Sequence, residues 1–266
     1  MEGEVKMEFK YIIYEKSEAI ATITRSRPEA LNSFSKEVAD EVLQAVEDIK
    51  NDENTHVVIL TGAGEKAFSA GADIKAMKGM NALKARELSL MGEKICNTLE
   101  NLEKPVIAAI NGYALGGGLE VAMACDIRIA SENARMGQTE INIGLIPGWG
   151  GTQRLTRLIG RTKAKELVFT GKMIDAKTAE QLGILNMVVP ADKFKETVRQ
   201  FATELAQKAP VALKVAKALI NKGADVSLDA ALALEREGFG VVASTDDLQE
   251  GVSAFMEKRK PTFKGK

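Results

Sequence analysis

Twice in this chain a short run of purely apolar residues leads straight into a glycine-rich segment, residues 57–60 into 61–72 and residues 106–110 into 111–118. A strand that is apolar at every position has to bury both of its faces, so it belongs inside a sheet covered on both sides. The glycines at its end supply the turn into the next element. Residues 127–130 repeat the strand, residues 144–151 repeat the glycine loop, and residues 152–159 read as a helix closed by Gly160. Strand, glycine turn and helix in succession predict an α/β core.

The flanks are consistent with that core. Residues 11–14 and 19–24 alternate in polarity and predict an opening β-hairpin about a polar turn at 15–18. A loop at 25–32 contains Pro28, and Ser35 then caps a helix whose Val38, Val42, Leu43, Val46 and Ile49 share one face, ending near Asn51. From about residue 193 only helical patterns occur, at 197–207, 211–221 and 228–242. With no proline- or serine-rich linker between them, an α/β core over 1–192 and a helical C-terminal subdomain over 193–266 read as one domain.

Charge and composition remove several function classes. Lys and Arg total 36 against 37 Asp and Glu, a net charge of -1 that offers no field for a nucleic-acid backbone or an anionic membrane. Cys96 and Cys125 are too few for a disulfide framework or a four-thiolate metal site, and they point to a reducing, cytoplasmic setting. The start carries Glu2 and Glu4 with no apolar export core, and the longest uncharged run, 105–119, is short and broken by glycines. A mature chain with neither export signal nor membrane span is expected.

The single histidine, His56, sits at the edge of a strand and reads as structural, which leaves Ser-His-Asp, Cys-His and multi-histidine metal sites without support. Gly62-Ala-Gly64 follows a strand as a dinucleotide fingerprint would, yet no helix-forming run comes after it. No Gly-Lys-Ser or Gly-Lys-Thr occurs, so a phosphate-binding P-loop is excluded. Acid-base chemistry therefore has to rest on carboxylates, lysines or tyrosines.

Two carboxylates stand out. In Gly116-Gly-Gly-Leu-Glu120 three glycines open a helix, leaving amide N–H groups free to stabilise charge developing on a substrate oxygen. Glu120 falls in the first turn of that helix, where it serves equally well as a partner for the helix dipole. Glu140 lies in Gly137-Gln-Thr-Glu-Ile-Asn-Ile-Gly144, where a solvated loop acid is the plain alternative.

Taken together, Ala67-Phe-Ser-Ala-Gly-Ala-Asp-Ile-Lys75, Asn111-Gly-Tyr-Ala-Leu-Gly-Gly-Gly-Leu-Glu120, the segment 137–140 and Pro147-Gly-Trp-Gly-Gly-Thr-Gln-Arg-Leu155 resemble the crotonase (enoyl-CoA hydratase) family. The resemblance extends from the Arg27-Pro-Glu-Ala-Leu-Asn32 loop to Phe255-Met-Glu-Lys-Arg-Lys260. It implies a spiral of ββα units, a helical C-terminal region that assembles homotrimers or homohexamers, and an acyl-CoA substrate. The implied reaction is reversible addition of water to a short-chain trans-2-enoyl-CoA, with no metal or separate cofactor, because coenzyme A arrives as part of the substrate.

The resemblance also implies roles for particular residues. The amides of Ala72 and Gly117 form an oxyanion hole at the thioester carbonyl, Glu140 exchanges the proton at Cα, and Glu120 holds and activates the water. Mutual repulsion and burial are expected to push the titrations of the two acids apart. Coenzyme A contacts fall on Ala30, Leu31, Ala70, Ala72, Asp73, Ile74, Gly116 and Gly117, with Phe255 and Lys258 supplied by a neighbouring subunit. Trp149 replaces a small residue beside the acyl pocket and is expected to shorten it; a core indole with its N–H satisfied is the alternative. Rival functions are another reaction of the same superfamily, such as enoyl-CoA isomerisation, and a non-catalytic scaffold that binds coenzyme A or RNA. Retention of both glutamates and the near-neutral charge favour the hydratase.

Overall fold

A computed structural model describes residues 8–266. The chain opens with β1 (Ile12–Ser17) and β2 (Ile20–Arg25), paired antiparallel with Ser17 opposite Ile20. Only Glu18 and Ala19 therefore make the turn, not residues 15–18. β1 is an edge strand, where Glu15 is exposed and Lys16 pairs with Asp48 and Asp52 at the end of α1, so the strand runs through residues that read as a turn. Helix α1 (Lys36–Asn51) begins at Ser35, whose hydroxyl accepts from the Val38 amide, and it buries Val38, Val42, Val46 and Ile49.

Three successive strand–strand–helix turns follow: β3 (Val57–Gly62), β4 (Ala67–Ser69) and α2 (Ala82–Glu100); β5 (Val106–Ile110), β6 (Tyr113–Leu115) and α3 (Gly117–Ala124); β7 (Ile127–Ser131), β8 (Arg135–Gly137) and α4 (Gly151–Thr170). Then come β9 (Ile174–Asp175), α5 (Ala176–Gln181), β10 (Met187–Val189) and the helices α6 (Phe194–Ala206), α7 (Pro210–Gly223), α8 (Leu228–Ala243) and α9 (Asp246–Glu257). The first strand of each turn joins a six-stranded sheet ordered β1-β2-β3-β5-β7-β10, and the second joins a four-stranded sheet ordered β4-β6-β8-β9. This is the expected α/β spiral of ββα units.

The all-apolar strands are buried on both sides for a visible reason. In β3 and β5, Val57, Ile59, Ile107 and Ala109 face Phe194, Val198 and Ala202 of α6. Their alternate neighbours Val58, Leu60, Val106, Ala108 and Ile110 face the main core with α1 to α4. Parallel pairing in the register Val58–Val106 and Leu60–Ala108 keeps the two sets on their own faces.

Two features went unread in the sequence. Strands β4, β6 and β8 have three residues each, too few to show a period of two. Helix α2 buries only Gly92, Ile95, Cys96 and Leu99, all in its second half, so its amphipathic stripe is incomplete. The expected close of the helix over residues 152–159 falls where it was read, at Gly160, although a second helical stretch continues α4 beyond it. Gly160 takes a non-helical φ of 76° inside α4, after which the helix resumes to Thr170 and buries Ala164 and Leu167.

Helix α7 is pinned to the body by Lys217, whose Nζ lies 2.7 Å from Asp126 Oδ2 and donates to the carbonyls of Leu99 and Lys104. No residue of α7 or α8 is buried in the single chain, and Phe239, Leu228 and Ile220 are 76%, 72% and 71% exposed. Among the described residues no helix is long and apolar enough to cross a membrane.

Candidate active site

The two glycine-rich segments meet at the ends of β4 and β6. Gly71 has φ 89°, and a Cβ there would lie 2.8 Å from Leu115 O and 2.9 Å from Gly117 N, so the two backbones touch only because the side chain is missing. Phe34 brackets the next residue: its amide donates to Gly71 O at 2.8 Å and its carbonyl accepts from Asp73 N at 2.9 Å. The Ala72 N–H between them takes no part in that bridge. Gly117 is the first residue of α3, a position whose amide has no acceptor within the helix. Among the described residues neither amide has an acceptor, and both residues line one cavity of about 300 Å³.

Glu120, three residues into α3, is 1% exposed and faces the same cavity. Its Oε1 accepts from the Trp149 amide at 2.7 Å and the Gly151 amide at 2.6 Å. Burial pushes its pKa above the usual carboxylate range, while those amides and the charge of Arg154 pull against it. Glu140 begins a turn of 3₁₀ helix, Glu140–Ile143, and its carboxylate rests on Gly116, where a Cβ would be 3.0 Å from Oε1. Burial pushes Glu140 up to about 7; its own amide opposes this and the negative charge of Glu120 adds to it. Gln138, 1% exposed, turns its amide toward this acid and, with nitrogen on that side, donates to Oε1 at 3.0 Å and Oε2 at 3.2 Å.

Apolar residues complete the cavity: Met77 and Met80 after β4, Leu88 from α2, and Ile143, Leu145 and Trp149 from the segment before α4. Trp149 is packed as a core indole and also lines the cavity. It is 3% exposed, its Nε1 donates to Leu88 O at 3.1 Å, and its ring meets Phe34 edge-on at 5.6 Å, yet it also forms the cavity wall. Gly92 makes room for it, since a Cβ there would fall 2.0 Å from the indole.

The remaining sequence-predicted residues divide into two groups. Ala70 and Ile74 line the cavity, whereas Ala30 and Leu31 do not, and the Ala70 amide ties their loop to the wall by donating to Leu31 O at 3.0 Å. The Asp73 carboxylate is used locally, accepting from Lys75 N at 3.1 Å and pairing with Arg27 at 3.3 Å. Phe255 and Lys258 do not join the site of their own chain: Phe255 lies on α9 beside Phe263 in a separate cavity, and Lys258 follows α9 as its C-cap. His56 is structural as read, its Nδ1 3.1 Å from Ala206 O.

Sequence reasoning missed Gln138, Leu88, Met77 and Arg154. Gln138 stands two residues before Glu140 inside a motif already singled out, and that adjacency was the available signal. Leu88 and Met77 belong to α2 and to the turn before it, which carried no legible pattern.

Comparison with known proteins agrees with this geometry. The chain is 48% identical over 254 residues to a short-chain-enoyl-CoA hydratase of Clostridium acetobutylicum, covering 96% of this chain and 97% of that one. It is 42% identical over 257 residues to a crotonyl-CoA hydratase of Syntrophomonas wolfei, covering 97% and 99%. Its fold superposes on an enoyl-CoA hydratase from Bacillus anthracis with a TM-score of 0.94 at 43% identity, covering 97% and 100%. With the profile of the Enoyl-CoA hydratase/isomerase family matching residues 15–266, the chain belongs to that family.

Proposed function

We propose that this enzyme catalyses the reversible hydration of short-chain trans-2-enoyl-CoA to 3-hydroxyacyl-CoA. The observation that carries the reading is one cavity faced by two uncommitted amides, Ala72 and Gly117, and by two carboxyl groups in unlike surroundings, Glu120 and Glu140. The amides receive the thioester oxygen as negative charge moves onto it. Glu120, in its ionised form and fixed by two N–H donors, takes a proton from water as the water oxygen bonds Cβ. Glu140 in its neutral form delivers a proton to Cα, and the pair then carries its shared proton on Glu120 instead. Dehydration is the same path reversed.

A short acyl chain is favoured by Trp149, which closes the cavity with an indole fixed at both its N–H and its ring. The relatives named for short-chain and crotonyl substrates agree with that preference. In this reading the amides take the developing charge and the two carboxyl groups move the protons, so the scheme calls for no metal or redox cofactor, and coenzyme A enters with the acyl group. We also infer that copies associate through the exposed apolar residues of α7 to α9 into trimers or paired trimers, bringing Phe255 and Lys258 to a neighbour's coenzyme A. A cytoplasmic location is part of the same reading, supported by the free thiols of Cys96 and Cys125.

The test is the ultraviolet absorbance of crotonyl-CoA followed with wild type, Glu120→Gln and Glu140→Gln. Wild-type decay that is lost in both variants is expected. Wild type inert toward crotonyl-CoA and toward longer, branched and cyclic enoyl-CoAs overturns the reading. Isomerisation surviving in Glu120→Gln moves the assignment to an isomerase.

A further inference from the structure

We infer that Arg154 is a positioning residue that keeps Glu120 ionised and aligned by gripping the peptide loop to which Glu120 is bonded. The inference rests on the hydratase reading above for its kinetic consequences, but its structural grounds are independent of it. Arg154 lies in the first turn of α4, and its guanidinium folds back over the helix start. Nη1 donates to Trp149 O at 3.0 Å, Nη2 donates to Asn97 Oδ1 at 2.9 Å and Glu100 Oε2 at 2.5 Å, and Nε reaches Glu100 Oε1 at 3.4 Å. The main chain of Trp149 is thus held on both sides of its Cα: its carbonyl by Arg154, its amide by Glu120 at 2.7 Å. The Gly151 amide adds a second bond to Glu120 at 2.6 Å.

Two observations set this apart from an ordinary surface ion pair. A cation in the first turn of a helix opposes the helix dipole, so the helix start itself gives no reason for arginine there, and its local support comes from Glu100 and Asn97 of α2. The side chain is also only 14% exposed, and it fits because Gly150 has no side chain: a Cβ at that residue, which has φ 104°, would sit 2.2 Å from Nη1. The chain accommodates a poorly placed charge whose evident gain is a fixed loop and a positive field at Glu120. That field opposes the burial that raises the acid's pKa. The other titratable groups facing this acid are Glu140 across the cavity and Cys96 on α2, with Glu100 beyond the guanidinium.

Arg154→Met, Arg154→Lys and Glu100→Gln are compared with wild type for crotonyl-CoA hydration across pH, with circular dichroism and thermal unfolding as the check on folding. In Arg154→Met, kcat is expected to fall by about 10- to 100-fold, the scale of a small misplacement in a catalytic site, with KM within about twofold. The ascending limb of kcat, where Glu120 ionises, is expected to move to higher pH. Lysine restores the charge without the fork, so it returns the limb to its place but recovers only part of kcat. In a Glu120→Gln background the methionine change is expected to add little. Wild-type kcat and pH limb in Arg154→Met, or losses that multiply fully with Glu120→Gln, overturn the inference. If Arg154→Met does not fold, Arg154→Lys and Glu100→Gln decide through the same limb and kcat. Isotope-edited infrared titration of Glu120 gives an arm that needs no turnover: an unmoved Glu120 in the folded variants sinks the inference, whereas a wild type that hydrates nothing sinks only the hydratase reading.

Discussion

The two glutamates differ because each is surrounded differently, and the difference can be measured. Glu140 is raised to about 7 from an ordinary 4.5 by burial first and by the charge of Glu120 as well. Replacing Glu120 with glutamine removes that charge, so the Glu140 titration is expected to move down, observable by carbon-13 NMR of labelled glutamate. A raised folded-state pKa stabilises the fold below the unfolded value and loses that contribution as pH rises through the folded one. Urea unfolding is therefore expected to show wild type losing ground to Glu140→Gln as pH rises from 4.5 to about 7, with no further change above. An unchanging gap across that window contradicts the assignment.

Arg25 tests the same physics without a catalytic role. It is fully buried, with rings of Phe34 and Phe68 5.1 and 4.1 Å from its guanidinium carbon. Nη2 donates to Phe68 O at 2.9 Å, while Nε and Nη1 have no partner among the described residues. Burial pushes its pKa down to about 9, so at neutral pH the full cost of a buried cation is carried by the folded state. Arg25→Met is expected to be neutral to stabilising, by up to about 4 kcal/mol, in urea unfolding at pH 7. A large destabilisation assigns the guanidinium a packing role that the methionine cannot fill.

At the scale of elements, the cavity is assembled from pieces of unequal legibility. Helix α3 and its glycines were visible as a glycine turn running into an apolar helix, because eight buried residues in sequence leave a clear mark. The strands β4 and β6 were hidden inside segments read only as glycine-rich, although their pairing brings the Gly71–Ala72 turn against Gly117, and β8 lay in a stretch with no assigned element. Helix α2 was invisible for a related reason: its first half faces the cavity, where no apolar stripe is needed for folding. The Trp149 indole rests on this helix, so Trp149→Ala is expected to lengthen the cavity. The ratio of kcat/KM for octenoyl-CoA over crotonyl-CoA is expected to rise about tenfold or more, with stability falling by about 3–5 kcal/mol. An unchanged ratio in a folded variant places the chain-length limit elsewhere.

On the scale of the whole molecule, the body and the C-terminal helices present unlike surfaces. The sheet is covered on both faces within one chain, whereas α7 and α8 leave Ile220, Leu228 and Phe239 in contact with solvent. A single chain gains little from apolar side chains held outward. If copies associate through these helices as proposed, Phe239→Asp is expected to shift the protein to smaller species in sedimentation velocity and to raise KM for crotonyl-CoA, because the proposed contacts of Phe255 and Lys258 with a neighbour's site would be lost. A wild-type chain that sediments as a monomer at micromolar concentration removes the basis for this expectation.

The amino-acid order by itself determined the α/β class and the helical C-terminal region, because all-apolar runs demand covered strands and helical periods persist after residue 193. It singled out Glu120 and Glu140 as candidates, and their catalytic roles came from the family resemblance and not from local pattern. Only the tertiary structure decided that Gly71 touches Gly117, that Glu140 rests on Gly116 beside Gln138, and that Arg154 reaches the loop holding Glu120. Such meetings join residues tens of positions apart, and their distances are set by how the ββα turns stack. Periodicity along the chain carries no record of that stacking. The raised pKa of each glutamate belongs to the same category, because burial and the direction of neighbouring amides exist only after the chain has closed around them.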